Sequence, residues 1–150
     1  MILALDLGNE FGWAIKQRAT IDSGWNRLTN KPGLDPGKKF KLFEYWLNYE
    51  TPEGIESVYF EDVKRHVSLY NARAYCGFLA VLQSWCCRKE IKCVGVGVGT
   101  IKKFWVGNGR ATKEMMIAEA NKRGFDTKND NEADSLALLH YVCELDLKVA

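Results

Sequence analysis

The sequence predicts an α/β domain, a mixed sheet covered by helices on both faces, and three observations predict it. Two short β-compatible runs, residues 2–7 and 12–16, lie close together near the start of the chain, with only a tight turn between them. Amphipathic helical patterns then alternate with β-branched and aromatic runs through most of the remaining chain. A hairpin pairs antiparallel whereas strands joined by helical crossovers pair in parallel, so one sheet built from both kinds of connection must be mixed.

Taken in order, residues 2–7 form an apolar run ended by Gly8, and residues 12–16 return as the second strand. A third strand is expected over 20–25. Residues 26–38 hold Pro32, Gly33, Pro36 and Gly37, the punctuation of a loop. Over 39–49, Phe40, Leu42, Phe43, Trp46 and Leu47 recur at helical spacing while Lys38, Lys39, Lys41, Glu44 and Asn48 take the other positions, which predicts an amphipathic helix. Thr51-Pro52-Glu53-Gly54 stops it. Residues 57–61 then read as a buried strand that delivers Glu61 at its C-terminal end. Residues 72–88 carry Tyr75, Phe78, Leu79, Leu82, Trp85 and Cys86 at three- and four-residue intervals, the pattern of a central packed helix. A strand over 91–98, a helix over 113–123 opened by Thr112 and an apolar-faced helix over 132–144 complete the order β-β-β-α-β-α-β-α-α.

A chain of 150 residues fits one domain, residues 1–150, and can bury a sizeable core. Its 47% hydrophobic and 27% charged residues exclude disorder and fibrous repeats. Lys and Arg total 21 against 19 acids, so bulk charge does not announce a nucleic-acid binder and the distribution of charge has to make that case. No apolar stretch approaches the ~20 residues of a membrane span, and no basic leader precedes Asp6, so neither membrane insertion nor secretion is expected. A cytoplasmic location follows, in a bacterial cell or a virus-infected host. The five cysteines are odd in number and lack a C-x-x-C spacing, which predicts buried reduced thiols rather than a disulfide scaffold or zinc knuckle. There is no P-loop and no Ser/His/Asp order. Gly95-Val96-Gly97-Val98-Gly99 alternates like a strand, without the helix opening that a dinucleotide fingerprint needs.

Three acids stand where their elements otherwise want apolar residues: Asp6 in the first strand, Glu61 at the end of the fourth and Asp134 in the final helix. A carboxylate facing a core is expensive unless a cation or partner neutralises it, so three in one small chain point to a common metal. Mg²⁺ takes oxygen ligands, and two ions about 4 Å apart would activate water and stabilise the leaving oxygen of a phosphodiester. Each acid alone also reads as an ordinary surface group. Asp62 and Lys64 could keep Glu61 solvated, and Asp134 could be a first-turn residue favoured by the helix macrodipole.

Four segments in order resemble the RuvC-type Holliday junction resolvases of the ribonuclease H-like superfamily. They are Ile2-Leu3-Ala4-Leu5-Asp6-Leu7-Gly8 with Gly12-Trp13-Ala14, then Val58-Tyr59-Phe60-Glu61, then the lysine and glycine segment from Ile101 to Lys113, and last Glu132-Ala133-Asp134-Ser135-Leu136-Ala137-Leu138. The third segment matches most closely, and together they span nearly the whole chain. The resemblance implies a ribonuclease H-like fold with a five-stranded sheet in the order 3-2-1-4-5. It further implies Mg²⁺, for which Mn²⁺ would substitute, and a crossover junction endodeoxyribonuclease acting as a homodimer on branched DNA. Asp6, Glu61 and Asp134 would hold the metal, Lys102 and Lys113 would lie close to the scissile phosphates, and the helix over 72–85 would supply the dimer surface. The sequence departs from the family where Asn131 stands three residues before Asp134, a position usually Asp or His. Glu132 and Asp130 are rival fourth ligands, with Glu132 ranked slightly ahead of Asn131.

Basic, polar and aromatic residues follow the second acid: Lys64, Arg65 and His66, then Tyr70, Asn71 and Arg73. These types neutralise phosphates and stack bases. Lys102, Lys103, Arg110, Lys113, Lys122 and Arg123 add a second basic cluster, so a positive rim around an acidic centre is expected despite the small net charge.

Overall fold

The computed structural model describes residues 1–28 and 35–149; Pro32 and Gly33 of the expected loop lie outside them. Strand β1 (Ile2–Asp6) sets the layering. Successive side chains of a strand point to opposite faces, so Leu3 and Leu5 enter one apolar core while Ala4 enters another. Antiparallel to β1 runs β2 (Glu10–Gln17), and antiparallel to that runs β3 (Thr20–Arg27). On its other side β1 pairs in parallel with β4 (Ser57–Asp62), which pairs in parallel with β5 (Lys92–Gly97). The sheet order is β3-β2-β1-β4-β5, a mixed α/β sheet with the strand order expected of a ribonuclease H-like fold.

One face is covered by α1 (Lys38–Tyr49) and α2 (Leu69–Arg88). Their core is aromatic: Phe43 meets Phe11 and Phe78 edge-on at 5.3 and 5.4 Å, contacts each worth roughly 0.5–1.5 kcal/mol beyond the area they bury. On the opposite face lies α5 (Asp130–Val149), whose Ala133, Leu136, Ala137 and Leu138 are fully buried. It is backed by α3 (Val98–Val106) and α4 (Lys113–Lys122). Small residues at Ala4, Ala14, Ala133 and Ala137 let this helix approach the sheet closely.

Four expectations need correction. Helix α3 was not expected, because valine–glycine alternation mimics a strand; β5 ends its pairing at Gly97 and a helix opens at the next residue. That helix closes at Gly107, whose φ of 86° favours glycine. Helix α2 begins at Leu69 rather than 72, because the Ser68 hydroxyl caps it by accepting from the Asn71 N–H at 3.2 Å. Helix α5 begins at Asp130 rather than 132. The cysteines are free but not uniformly buried: only Cys86 is, while Cys76 and Cys87 lie exposed on the outer side of α2. The same helix turns Tyr75, Phe78, Leu82 and Trp85 inward to the core. No helix among the described residues is long and apolar enough to cross a membrane.

Candidate metal centre

The alternation that buries Ala4 on the α5 face also sends Asp6 there, two residues on. In β4, Tyr59 shares the Ala4 core, so Glu61 falls on the same face. The parallel register sets Ala4 beside Tyr59 and Leu5 beside Phe60, which brings the two acids to adjacent strand ends. Helix α5 then supplies Asp134 one turn after its start. Oxygen atoms of Asp6, Glu61 and Asp134 all lie within 4.8 Å of one another.

Asp134 can come this close because of Gly12, which in the sequence marks only the second strand and its hairpin. Gly12 pairs with Asp6 across the β1–β2 ladder, and a Cβ there would run into the backbone carbonyl of Asn131. The missing side chain leaves room for the first turn of α5 against β2. Tyr75 is a second residue the sequence did not single out for the site. Its hydroxyl donates to the Glu61 carbonyl at 2.8 Å and accepts from the Val63 N–H at 3.1 Å, fixing the end of β4 from behind.

The electrostatics are those of crowded acids in a cleft. Burial lifts the Asp6 carboxyl well above the usual range, and the charges of Glu61, Asp134 and Asp130 lift it further. Burial also raises Glu61, against a hydrogen bond from Asp6 and the charge of Lys102, both of which lower it. Asp134 is pushed up to about 7, first by burial and then by Glu61, with Lys102 and Lys113 opposing. Its Oδ1 is buried without a hydrogen-bond partner. Three hard oxygen donors converging on an unsatisfied pocket are a donor set suited to a divalent cation such as Mg²⁺ or Mn²⁺.

The rival fourth ligands separate. Glu132 does not join the cluster: its carboxylate accepts from the Ser23 hydroxyl at 2.7 Å and the Thr127 hydroxyl at 2.6 Å, tying α5 to β3 and to the preceding loop. Asn131 is also occupied elsewhere, its amide donating to Glu10 at 3.4 Å. Asp130 is half-buried one helical turn before Asp134, and its charge reaches both Asp134 and Asp6. It forms an ion pair with Lys113 at 2.5 Å, and Asp130, Asp134 and Asp6 together hold the Lys113 ammonium protonated more firmly than usual.

Of the expected DNA contacts, Lys64 and Arg65 are exposed on the segment after β4, and Tyr70 and Arg73 are exposed on the first turns of α2. The Lys39 ammonium lies 5.0 Å from the Tyr70 ring centroid, adding a cation from α1 that the sequence order hides. His66 is half-buried, its ring 5.0 Å from that of Tyr75. Lys102 and Lys103 lie on α3, and Arg110 is exposed in the turn before α4. Lys122 and Arg123 do not belong to this rim. A ten-residue helix separates them from Lys113 by about 15 Å, and Arg123 is spent on structure, 3.9 Å from the Trp105 ring centroid and paired with Glu119.

Fold and site together define the class: a RuvC-like, ribonuclease H-like sheet with acids gathered at the adjacent ends of β1 and β4. Among solved structures, the chain is similar to Thermus thermophilus RuvC in complex with a Holliday junction substrate. That likeness has a TM-score of 0.68 and 14% identity, covering 91% of this chain and 88% of that one. A second Thermus thermophilus RuvC structure matches with a TM-score of 0.62 and 15% identity, covering 91% and 89%. No family model and no curated protein sequence matches the chain.

Proposed function

We propose that this protein is a structure-selective DNA endonuclease that resolves Holliday junctions or other branched DNA by hydrolysing phosphodiesters with Mg²⁺. The observation that carries the proposal is the convergence of Asp6, Glu61 and Asp134 within 4.8 Å on a RuvC-like fold. When bound, divalent cations at such a site polarise the attacking water and neutralise charge on the leaving oxygen.

Asp6, Glu61 and Asp134 would hold the cation, with Asp130 as the fourth acid in preference to Glu132 or Asn131. Lys102, whose charge already acts on Glu61 and Asp134, offsets negative charge on the scissile phosphate. Lys113 leaves Asp130 to do the same from the other side. Lys64, Arg65, Tyr70, Arg73, Lys103 and Arg110 hold the backbone and bases of the substrate. A four-way junction is two-fold symmetric, so the working form is a homodimer presenting two clefts to opposed strands, in the cytoplasm where such DNA forms.

The test is a cleavage panel of a four-way junction, a flap and an RNA–DNA hybrid with Mg²⁺, paired with gel shifts. Cleavage of the junction in preference to the others supports the proposal. Preferential cutting of the hybrid points instead to a ribonuclease H-type activity on the same acids. Asp6→Asn is expected to abolish cutting and retain junction binding; equal loss of both contradicts the assignment of Asp6.

A further inference from the structure

Glu10 opens β2, two residues before Gly12 and therefore on the same face of the sheet. Gly12 gives the first turn of α5 room to rest on that face, and Glu10 is the side chain that grips it. Both oxygens of its carboxylate are engaged. Oε2 accepts from Nε and Nη2 of Arg27, directly opposite on β3, at 2.9 and 2.7 Å. Oε1 accepts from the Asn129 side-chain amide at 2.8 Å and, at a longer 3.4 Å, from that of Asn131. One strand residue thus ties β3 to the residues on either side of Asp130.

Asn129 is also what starts the helix. Its Oδ1 accepts from the Glu132 N–H at 3.1 Å and its carbonyl from the Ala133 N–H at 3.1 Å, the pattern of an N-cap. A carboxamide has one donor end and one acceptor end. With Nδ2 held by the Glu10 carboxylate, Oδ1 is the end turned to the helix, so Glu10 fixes the orientation of the cap and the cap fixes the start of α5 at Asp130. Asp130 then stands four residues before Asp134, on the same side of the helix. A slip of one residue in the seating of α5 would turn these acids about 100° round the helix axis, away from Asp6 and Glu61.

We propose that Glu10 is a positioning residue of the metal centre: anchored by Arg27 and acting through Asn129, it seats the first turn of α5 so that Asp130 and Asp134 face one cation while the Asn131 amide is drawn aside. The proposal rests on the nuclease reading above and adds that metal affinity is set in part by a carboxylate outside the ligand set. Groups that orient metal ligands commonly change affinity by about 10- to 100-fold when removed. A half-exposed ion pair such as Arg27–Glu10 contributes little to folding, so the effect belongs to the metal site more than to the melting temperature.

Glu10→Gln tests this with almost no change in shape. One acceptor oxygen becomes an NH₂ donor, so the side chain can no longer accept from Arg27 and Asn129 together. Asn129→Ser is the second variant, because serine keeps a capping oxygen but lacks the amide that Glu10 holds. Mn²⁺ affinity of the DNA-free protein is read from the electron paramagnetic resonance of the free ion, and folding from thermal melts in EDTA. Each variant should bind Mn²⁺ about tenfold more weakly while melting close to wild type. Combined, they should lose no more than either alone, since both break one chain of contacts. In junction cleavage, the Mg²⁺ concentration for half-maximal rate should rise by a similar factor, and the rate at saturating Mg²⁺ should recover. Undiminished Mn²⁺ affinity in Glu10→Gln, or additive losses in the double variant, overturns the positioning role and leaves the nuclease reading intact. A wild-type protein that binds no Mn²⁺ and cuts no branched DNA removes both.

Discussion

Replacing Asp134 by asparagine should stabilise the metal-free protein, although it removes a proposed ligand. The carboxyl is pushed up to about 7 from an ordinary 3.8, chiefly by burial and next by the charge of Glu61, and its Oδ1 has no hydrogen-bond partner. Ionising it in the folded chain requires about 1.4 kcal/mol for each pH unit of that gap, roughly 4 kcal/mol in all. Asp6 and Glu61 share the pocket and redistribute their protons when one charge is deleted, so about half, roughly 2 kcal/mol, is expected from the single substitution. The sign follows from the raised folded value. Between about pH 4 and pH 7 the unfolded chain releases a proton that the folded chain keeps, so wild-type stability falls across that window and is level above it. The advantage of Asp134→Asn should therefore be absent near pH 4, grow through the window and reach roughly 4–8 °C in melting temperature above pH 7. Thermal melts in EDTA across this pH range measure it. Millimolar Mg²⁺ should reverse the order, because only the wild type gains the stabilisation that accompanies binding to the folded state. A variant that melts lower than wild type in EDTA at alkaline pH, or that gains as much from Mg²⁺, refutes the reasoning.

Gly12→Ala places a methyl group against the Asn131 carbonyl and should push back the first turn of α5. A loss of about 1–3 kcal/mol in urea denaturation and a fall in Mn²⁺ affinity by titration calorimetry are expected; an unchanged affinity would show that α5 is not held by this contact. Asp130→Asn should weaken Mn²⁺ binding more than Asn131→Ala, since only Asp130 acts on the charged cluster; the reverse order would return the fourth position to Asn131. Lys102→Met removes the charge that lowers Glu61 and Asp134, so the acid limb of the cleavage pH profile should move to higher pH, and a profile that only drops in height would mean Lys102 does not act on these acids. Tyr75→Phe deletes the clamp on the end of β4 and should lower Mn²⁺ affinity several-fold while the junction is still bound in gel shifts; undiminished metal affinity would confine Tyr75 to the core.

What the sequence determined by itself is local periodicity and chemical type. Alternation in β1 fixed the side on which Asp6 would emerge relative to Ala4, and the apolar stripe of the last helix made Asp134 conspicuous as an acid among Leu136, Ala137 and Leu138. Those patterns are written into consecutive residues, so strands β1 to β5 and four of the five helices were legible. Helix α3 was not, because valine and glycine in alternation carry a strand pattern up to its start and only the end of pairing with β4 makes a helix the better use of the backbone. The choice among Asp130, Asn131 and Glu132 was also beyond local pattern. It depends on where α5 starts and on what waits across the gap: Ser23 and Thr127 draw Glu132 away, Glu10 engages Asn131, and Asp130 pairs with Lys113 while its charge reaches Asp6 and Asp134. Gly12 makes the same point, since its bare Cα matters only because a helix from the far end of the chain rests on it. Partners distant in sequence carry no periodic signal, and which of several similar carboxylates faces a cleft is decided by them.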